Sequence, residues 1–162
     1  MTDRSSASPD GEAITPEGLE AVKAELGELE TVGRREIAKR ILTAREHGDL
    51  SENAEYHAAK EDQAHLETRI KRLRGRMLNA VVVERNTEDV VLSFGRTAEI
   101  VDEDTGEVNT WTVVGAAETD RAAGKISDQS PVAKALLGHA PGEVVEVETP
   151  RGVRRLRIQR LL

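Results

Sequence analysis

The chain has no cysteine, and a single tryptophan, tyrosine and phenylalanine make up all its aromatic residues. Without thiols there are no disulfides, no thiolate metal sites and no sulfur nucleophile, a usage that suits a reducing cytoplasm. An aromatic share of 2% is lean for a compact enzyme core, whereas 33% charged residues suits a protein with much exposed helix. No apolar run approaches the roughly 20 residues that a membrane helix needs, so no membrane partner is expected. Residues 1–13 are polar, with no apolar segment of the kind a secretory signal carries, and read as a disordered tail. An excess of positive charge is missing too. The formal net charge is -7, whereas proteins that wrap duplex DNA are usually basic, because phosphate neutralisation dominates that affinity. Any contact with nucleic acid must come from a local patch.

The familiar catalytic signatures are also absent. There is no phosphate-cradling glycine-rich loop, no Gly-x-Ser-x-Gly elbow and no His-Glu-x-x-His. His47, His57, His65 and His139 do not fall at a zinc spacing. Nothing in the sequence makes a self-contained active site.

What is present divides into two periods. Thr15-Pro16-Glu17 starts a helix: a hydroxyl N-cap, proline at the first helical position and an acid in the first turn. Leu19, Val22, Leu26 and Leu29 follow at helical spacing, and the stripe skips at Gly33 before resuming with Ile37, Ile41 and Ala44. A glycine inside a helix costs roughly 1 kcal/mol relative to alanine, so a bend or loosening is expected at Gly33. Gly48 ends the run where a left-handed residue closes a helix. A second stripe, Tyr56, Ala59, Gln63, Leu66, Ile70, Leu73 and Met77, alternates steps of three and four as a coiled-coil seam does. The two stripes predict an antiparallel helical hairpin over residues 14–80. Its arms of about 30 residues make a rod of roughly 45 Å with its tip at about 47–55. Residues 81–162 carry short β-rich runs, turns at Asp104-Thr105-Gly106 and Thr149-Pro150-Arg151-Gly152, and one short helix opened by Ser130-Pro131. The expected class is α+β: a helical hairpin followed by a small antiparallel sheet domain with one helix. Phe94 and Trp111 read as core residues of that domain.

The tip, His47-Gly48-Asp49-Leu50-Ser51-Glu52-Asn53-Ala54-Glu55-Tyr56, supports two readings. In the first, Asp49 and Glu52 form a capping box that opens the second helix. In the second, they are bare carboxylates offered to a metal. Residues 45–62 hold six acids (Glu46, Asp49, Glu52, Glu55, Glu61, Asp62) against Arg45 and Lys60, more than a cap requires. Exposed Asp and Glu are ionised at neutral pH, and Mg²⁺ takes one or two carboxylates together with phosphate oxygens and waters. Two carboxylates on a finger could complete a half-built site elsewhere. Further back, Arg69, Lys71, Arg72, Arg74 and Arg76 face Glu67 as the only acid in the run from Leu66 to Met77. They are either a solvated face making ion pairs or a phosphate-contacting patch.

The stretch from Arg45 to Ala59 resembles the tip signature of the bacterial GreA/GreB transcript cleavage factors. Ile126 to Gly138, ISDQSPVAKALLG, is similar to the carboxyl-domain signature of the same family, and the likeness runs from about Ile14 to Leu162. The resemblance implies an FKBP-like carboxyl domain that docks on a coiled coil at the rim of the RNA polymerase secondary channel. It implies a hairpin that enters the channel when the polymerase has backtracked, toward the extruded 3′ end of the RNA. Asp49 and Glu52 then match the carboxylates that help hold the second Mg²⁺ of the polymerase, so that the polymerase cleaves its own transcript. Ser51, Asn53 and Tyr56 match neighbours that orient water, RNA or polymerase, and the basic run Arg69 to Arg76 faces the RNA. Asp128, Ser130 and Pro131 match the docking loop. A cytoplasmic protein, monomeric when free, is implied. Relatives of this architecture that occlude the channel and inhibit transcription, and a coiled-coil module whose acids serve only as a cap, are the alternatives.

Overall fold

The first helix begins as its sequence dictates. In the computed structural model, which describes residues 11–162, Thr15 caps α1 (Pro16–Glu28) by accepting the Gly18 amide on its hydroxyl at 3.0 Å. The expected tail falls mostly on residues 1–10, outside the described residues. Its last part is corrected: Glu12–Ile14 is a strand, β1, paired in parallel with β2 (Ala80–Val82). Ala13 and Ile14 are buried, so the strand is held by its apolar side chains as well as by its ladder. The chain divides into two compact units, Leu19–Asn79 in one and the segments up to Gly18 and from Ala80 to Leu162 in the other.

The helical unit is built on the two predicted stripes. α1 continues through a π-helical turn at Leu29–Gly33 into α2 (Arg34–Arg45), and α3 (Ala54–Asn79) follows the tip. The π turn falls where the stripe skips. From Leu29 the seam advances through Gly33, Ile37 and Ile41 in three successive steps of four, one residue more than alternating threes and fours would use. One wide turn, in which the Arg34 amide reaches back to the Leu29 carbonyl, takes up the surplus and keeps Ile41 and Ala44 facing α3. Gly33 also has a packing reason: a Cβ there would lie 3.2 Å from Leu66 Cδ1 on α3. In α3, Ala59, Ile70 and Leu73 are almost fully buried. Burying one such Leu or Ile contributes about 1.5–3 kcal/mol. The exposed ion pairs that flank the seam, Arg34 with Glu67 and Arg40 with Asp62, contribute about 0–1 kcal/mol each. The seam holds the hairpin, and the charges set its register.

The second unit is the expected α+β domain with a different sheet pattern. Strands β3 (Thr97–Asp102), β4 (Val108–Val114), β5 (Lys125–Ser127), β6 (Val144–Thr149) and β7 (Gly152–Leu161) form one sheet in the order β5-β4-β3-β7-β6. The sheet is mixed, because β5 pairs in parallel with β4; the fully antiparallel sheet expected from sequence is corrected there. Three residues at Lys125–Ser127 carry too little alternation to announce a strand. Ala98, Ile100, Val145, Val147, Leu156 and Ile158 point to one face and are covered by Ala133 and Leu136 of α4 (Pro131–Leu136). Phe94 and Trp111 pack against this core. A register shift opposite Glu99 and Ile100 makes Gln159 an extra residue on β7, so the inward position moves from Ile158 to Leu161.

The β-rich run Val90-Val91-Leu92 is not a strand. Val90 is exposed, while Leu92 is buried and exchanges backbone hydrogen bonds with Gly138 and His139. The buried guanidinium of Arg96 holds this segment by donating to the carbonyls of Asn86 and Asp89 at 3.1 and 3.0 Å. Backbone carbonyls supply its hydrogen bonds, as burial of a charge requires.

Candidate functional site

The tip begins where α2 runs out of seam residues. After Arg45 the chain makes two tight turns, Glu46 to Thr43 and His47 to Ala44, and then passes Gly48 at φ +112°. That backbone conformation is strained for any residue with a Cβ, which is why glycine stands there. Asp49 then folds the loop back: its Oδ1 accepts the Ser51 amide at 3.0 Å and the Ser51 hydroxyl at 2.9 Å. These two donors, the amide first, hold the Asp49 carboxyl below the usual aspartate range. Oδ2 has no partner among the described residues, and Asp49 is exposed.

The capping reading of these acids is corrected. The residue that caps α3 is Asn53, whose Oδ1 accepts the Tyr56 amide at 3.0 Å. Its Nδ2 donates to the Ala44 carbonyl at 2.6 Å, so one side chain joins the end of α2 to the start of α3. Neither Asp49 nor Glu52 touches the first turn of α3. Glu52 is exposed and has no hydrogen-bond or ion-pair partner among the described residues. The missed signal was Asn53 standing directly before Ala54-Glu55-Tyr56, an asparagine N-cap followed by an acid in the first turn.

Tyr56 is half-buried rather than presented outward. The Arg45 guanidinium lies 5.9 Å from its ring centroid, and the His57 ring meets it edge-on at 5.8 Å. His57 Nε2 in turn sits 3.3 Å from the Ser51 carbonyl oxygen. Of the six acids counted around the tip, Asp62 pairs with Arg40 at 2.8 Å and Glu61 lies 3.7 Å from His65. Glu46, Asp49, Glu52 and Glu55 remain as exposed acids without a cationic partner among the described residues. No group of three or more His, Cys, Asp or Glu side chains is arranged to hold a metal among the described residues. Asp49 and Glu52 are two exposed carboxylates in one loop, fewer oxygens than a complete Mg²⁺ shell needs.

The basic run divides. Arg69 pairs with Glu25 at 2.6 Å and Arg74 with Glu30, both across the hairpin, and Glu67 is taken by Arg34. Lys71 and Arg72 are exposed and Arg76 half-exposed, and these three have no acidic partner among the described residues. The ion-pair reading holds for the first two, and the patch that remains is smaller than the sequence suggested.

In the other unit, Asp128, Ser130 and Pro131 lie together at the start of α4. The Ser130 hydroxyl donates to the Ser127 carbonyl at 2.7 Å and accepts the Ala133 amide at 3.1 Å, so it is occupied as the N-cap. Asp128 is half-exposed, its carboxylate accepting only the Gln129 side-chain amide at 3.1 Å among the described residues, and Gln129 and Pro131 are exposed.

Comparisons with known proteins match both units. A family model described as "Transcription elongation factor, N-terminal" matches residues 12–82, and one described as "Transcription elongation factor, GreA/GreB, C-term" matches residues 86–161. Transcription elongation factor GreA of Jannaschia sp. (strain CCS1) is 47% identical over 148 residues, spanning 91% of this chain and 95% of that protein. GreA of Geobacillus kaustophilus (strain HTA426) is 47% identical over 140 residues, 86% of this chain and 89% of that one. Among solved structures, the transcription factor Gfh1 is 31% identical, covering 93% of this chain and 97% of its own, with a TM-score of 0.45.

Proposed function

The chain belongs to the GreA/GreB family of transcription elongation factors, and from that premise we propose that it stimulates transcript cleavage by backtracked RNA polymerase. In this reading the hairpin enters the secondary channel, and the turn of Asp128, Ser130 and Pro131 docks the other unit at the channel rim. The protein has no catalytic centre of its own. Asp49 and Glu52 extend the ligand set of the second Mg²⁺ in the polymerase active site, which when bound orients and activates the attacking water. Ser51 keeps one oxygen of Asp49 occupied, so that Oδ2 is the oxygen offered. Lys71, Arg72 and Arg76 lie toward the extruded RNA. The protein works in the cytoplasm, where the polymerase is.

One observation carries the proposal: Asn53 does the capping, so Asp49 and Glu52 are left exposed at the tip, Glu52 and the Oδ2 of Asp49 without a partner among the described residues. Like charges gathered on a bare turn repel one another. A cation brought to the turn would offset that repulsion.

The test uses Asp49→Asn and Glu52→Gln, which keep shape and acceptor oxygens but lose charge. Backtracked complexes of bacterial RNA polymerase are assayed for cleavage at saturating factor. Binding should survive in both variants while stimulated cleavage falls by orders of magnitude. Full stimulation by the double variant would falsify the metal role. A wild-type protein that slows elongation without cleavage would place it with the channel-occluding relatives, and cleavage of free RNA without polymerase would make it an autonomous nuclease.

A further inference from the structure

We propose that Asn53 is a positioning residue of the tip, acting as a brace between the two helices and not as a ligand for RNA or polymerase. This inference rests on the transcript-cleavage reading and concerns how the acids are held. The argument starts from what one primary amide can do. It offers two N–H donors and one carbonyl acceptor in a single plane. At Asn53 both functions turn inward: Oδ1 accepts the Tyr56 amide at 3.0 Å, and Nδ2 donates a hydrogen bond to the Ala44 carbonyl at 2.6 Å. Ala44 is buried, in the last turn of α2, and its carbonyl accepts the His47 amide at 3.2 Å, which leaves a second lone pair for Asn53. One planar group therefore ties a carbonyl at the end of α2 to an amide that the first turn of α3 leaves without an intrahelical partner.

Between these anchors lie eight residues, 45–52, and the two carboxylates sit within them. Their other ties among the described residues are short, and the two backbone turns, Glu46 to Thr43 and His47 to Ala44, stay on the α2 side. Ser51 closes on Asp49, His57 Nε2 lies near the Ser51 carbonyl, and Arg45 stacks over Tyr56. Each of these stays on one side of the loop or depends on the ring of a residue already placed by the Asn53 cap. The amide of Asn53 is the one side chain that joins the end of α2 to the first turn of α3 by hydrogen bonds among the described residues. A turn with carboxylates loosely held would lose much of its effect on a distant ion, since a shift of about 1 Å in a ligand is enough to cost catalysis.

Two substitutions separate the brace from the cap. Asn53→Ser keeps a good N-cap acceptor for Tyr56, but its short hydroxyl cannot also reach Ala44. Asn53→Asp keeps length and cap while placing a carboxylate oxygen against the Ala44 carbonyl. Two readouts are taken on the full chain. Amide hydrogen exchange of the free protein should speed about tenfold or more over residues 46–52 in both variants, with the α3 seam unaffected, because local opening governs such exchange. In backtracked polymerase complexes, stimulated cleavage at saturating factor should fall about tenfold, with half-saturating factor within about twofold of wild type and partial recovery at higher Mg²⁺. Glu52→Gln is the reference that loses cleavage without a change in exchange.

Unchanged exchange in Asn53→Ser overturns the brace. Faster exchange with wild-type cleavage overturns its part in the reaction. A parallel loss of affinity in both variants means that Asn53 contacts the polymerase. If wild type itself fails to stimulate cleavage, the transcript-cleavage reading falls, and the exchange experiment still judges the brace separately.

Discussion

Glu118 and Thr15, 103 residues apart in sequence, meet at the first turn of α1, where the Glu118 carboxylate accepts both the amide and the hydroxyl of Thr15. Glu118 stands in a short 3₁₀ turn (Ala116–Glu118) between β4 and β5. The contact is close enough to exclude side chains around it: a Cβ on Gly18 would overlap the Glu118 carboxylate, and one on Gly115 would overlap the Ala13 carbonyl. A carboxylate at a helix N-terminus is favoured by the exposed amides there, and Thr15 is buried, so no water replaces it.

The same substitution in one helix should therefore have opposite signs at two positions. Gly27→Ala meets nothing within 4 Å and should stabilise by about 0.5–1 kcal/mol through helix propensity. Gly18→Ala should destabilise by about 1–3 kcal/mol by displacing Glu118, as should Glu118→Ala by leaving the Thr15 amide unpaired. Chemical denaturation of the three variants checks both signs. A stabilised Gly18→Ala would show that Glu118 moves aside freely.

Asp102 gives a prediction about pH. Its side chain is 2% exposed. Oδ2 accepts Nε and Nη2 of Arg154 at 2.9 and 2.7 Å, and Oδ1 accepts the amides of Asp104 and Thr105. Arg154 first, with those backbone amides, holds the carboxyl below the usual aspartate range. A lowered folded pKa stabilises above the unfolded value and loses that stabilisation as pH falls through the folded one. Asp102→Asn should thus be less stable than wild type at pH 7, and the gap should narrow as pH drops below about 4. Denaturant midpoints for both proteins from pH 7 to 3 measure it, and a gap independent of pH would exclude ionisation as the cause.

Both helical stripes were legible because, apart from the skip at Gly33, the seam residues of each arm recur at steps of three and four, and burial follows them. The skip at Gly33 was visible as well, but not its form: a glycine marks loosening, whereas choosing a π turn requires knowing that α3 must stay in contact on both sides. The two readings of Asp49 and Glu52 stayed open in the sequence because a spacing of three between two acids is common to a capping box and to a loop with bare carboxylates. Only the position of the first helical residue, Ala54, separates them. Strand β5 and the Glu118 contact were not legible, since one depends on a three-residue parallel pairing and the other on partners about a hundred residues apart.

Ser51 offers a direct measurement at the tip. It gives Asp49 two donors, and the amide is the stronger cause of the lowered pKa. Ser51→Ala removes the hydroxyl and keeps the amide, so the Asp49 pKa should rise toward the ordinary value without reaching it. Carbon-detected NMR titration of the side-chain carboxyl reads this without any assay of activity. A full return would mean that the turn itself is lost.

The divided basic run yields the last prediction. Arg69 and Arg74 are engaged with Glu25 and Glu30, so replacing either with alanine should cost the hairpin at most about 1 kcal/mol, with little change in RNA contact. Lys71, Arg72 and Arg76 have no such partners among the described residues. If they meet phosphates of extruded RNA, replacing all three with alanine leaves stability nearly unchanged and weakens crosslinking of that RNA. Contacts of this kind release counterions, about 0.7 per phosphate for a single strand, so losing three lowers the log–log salt dependence of RNA contact by about 2. Crosslinking yield across a salt series in backtracked complexes gives that slope. Equal slopes for wild type and the triple variant would return all five residues to the role of a solvated helix face, and the tip acids would then act without help from the shaft behind them.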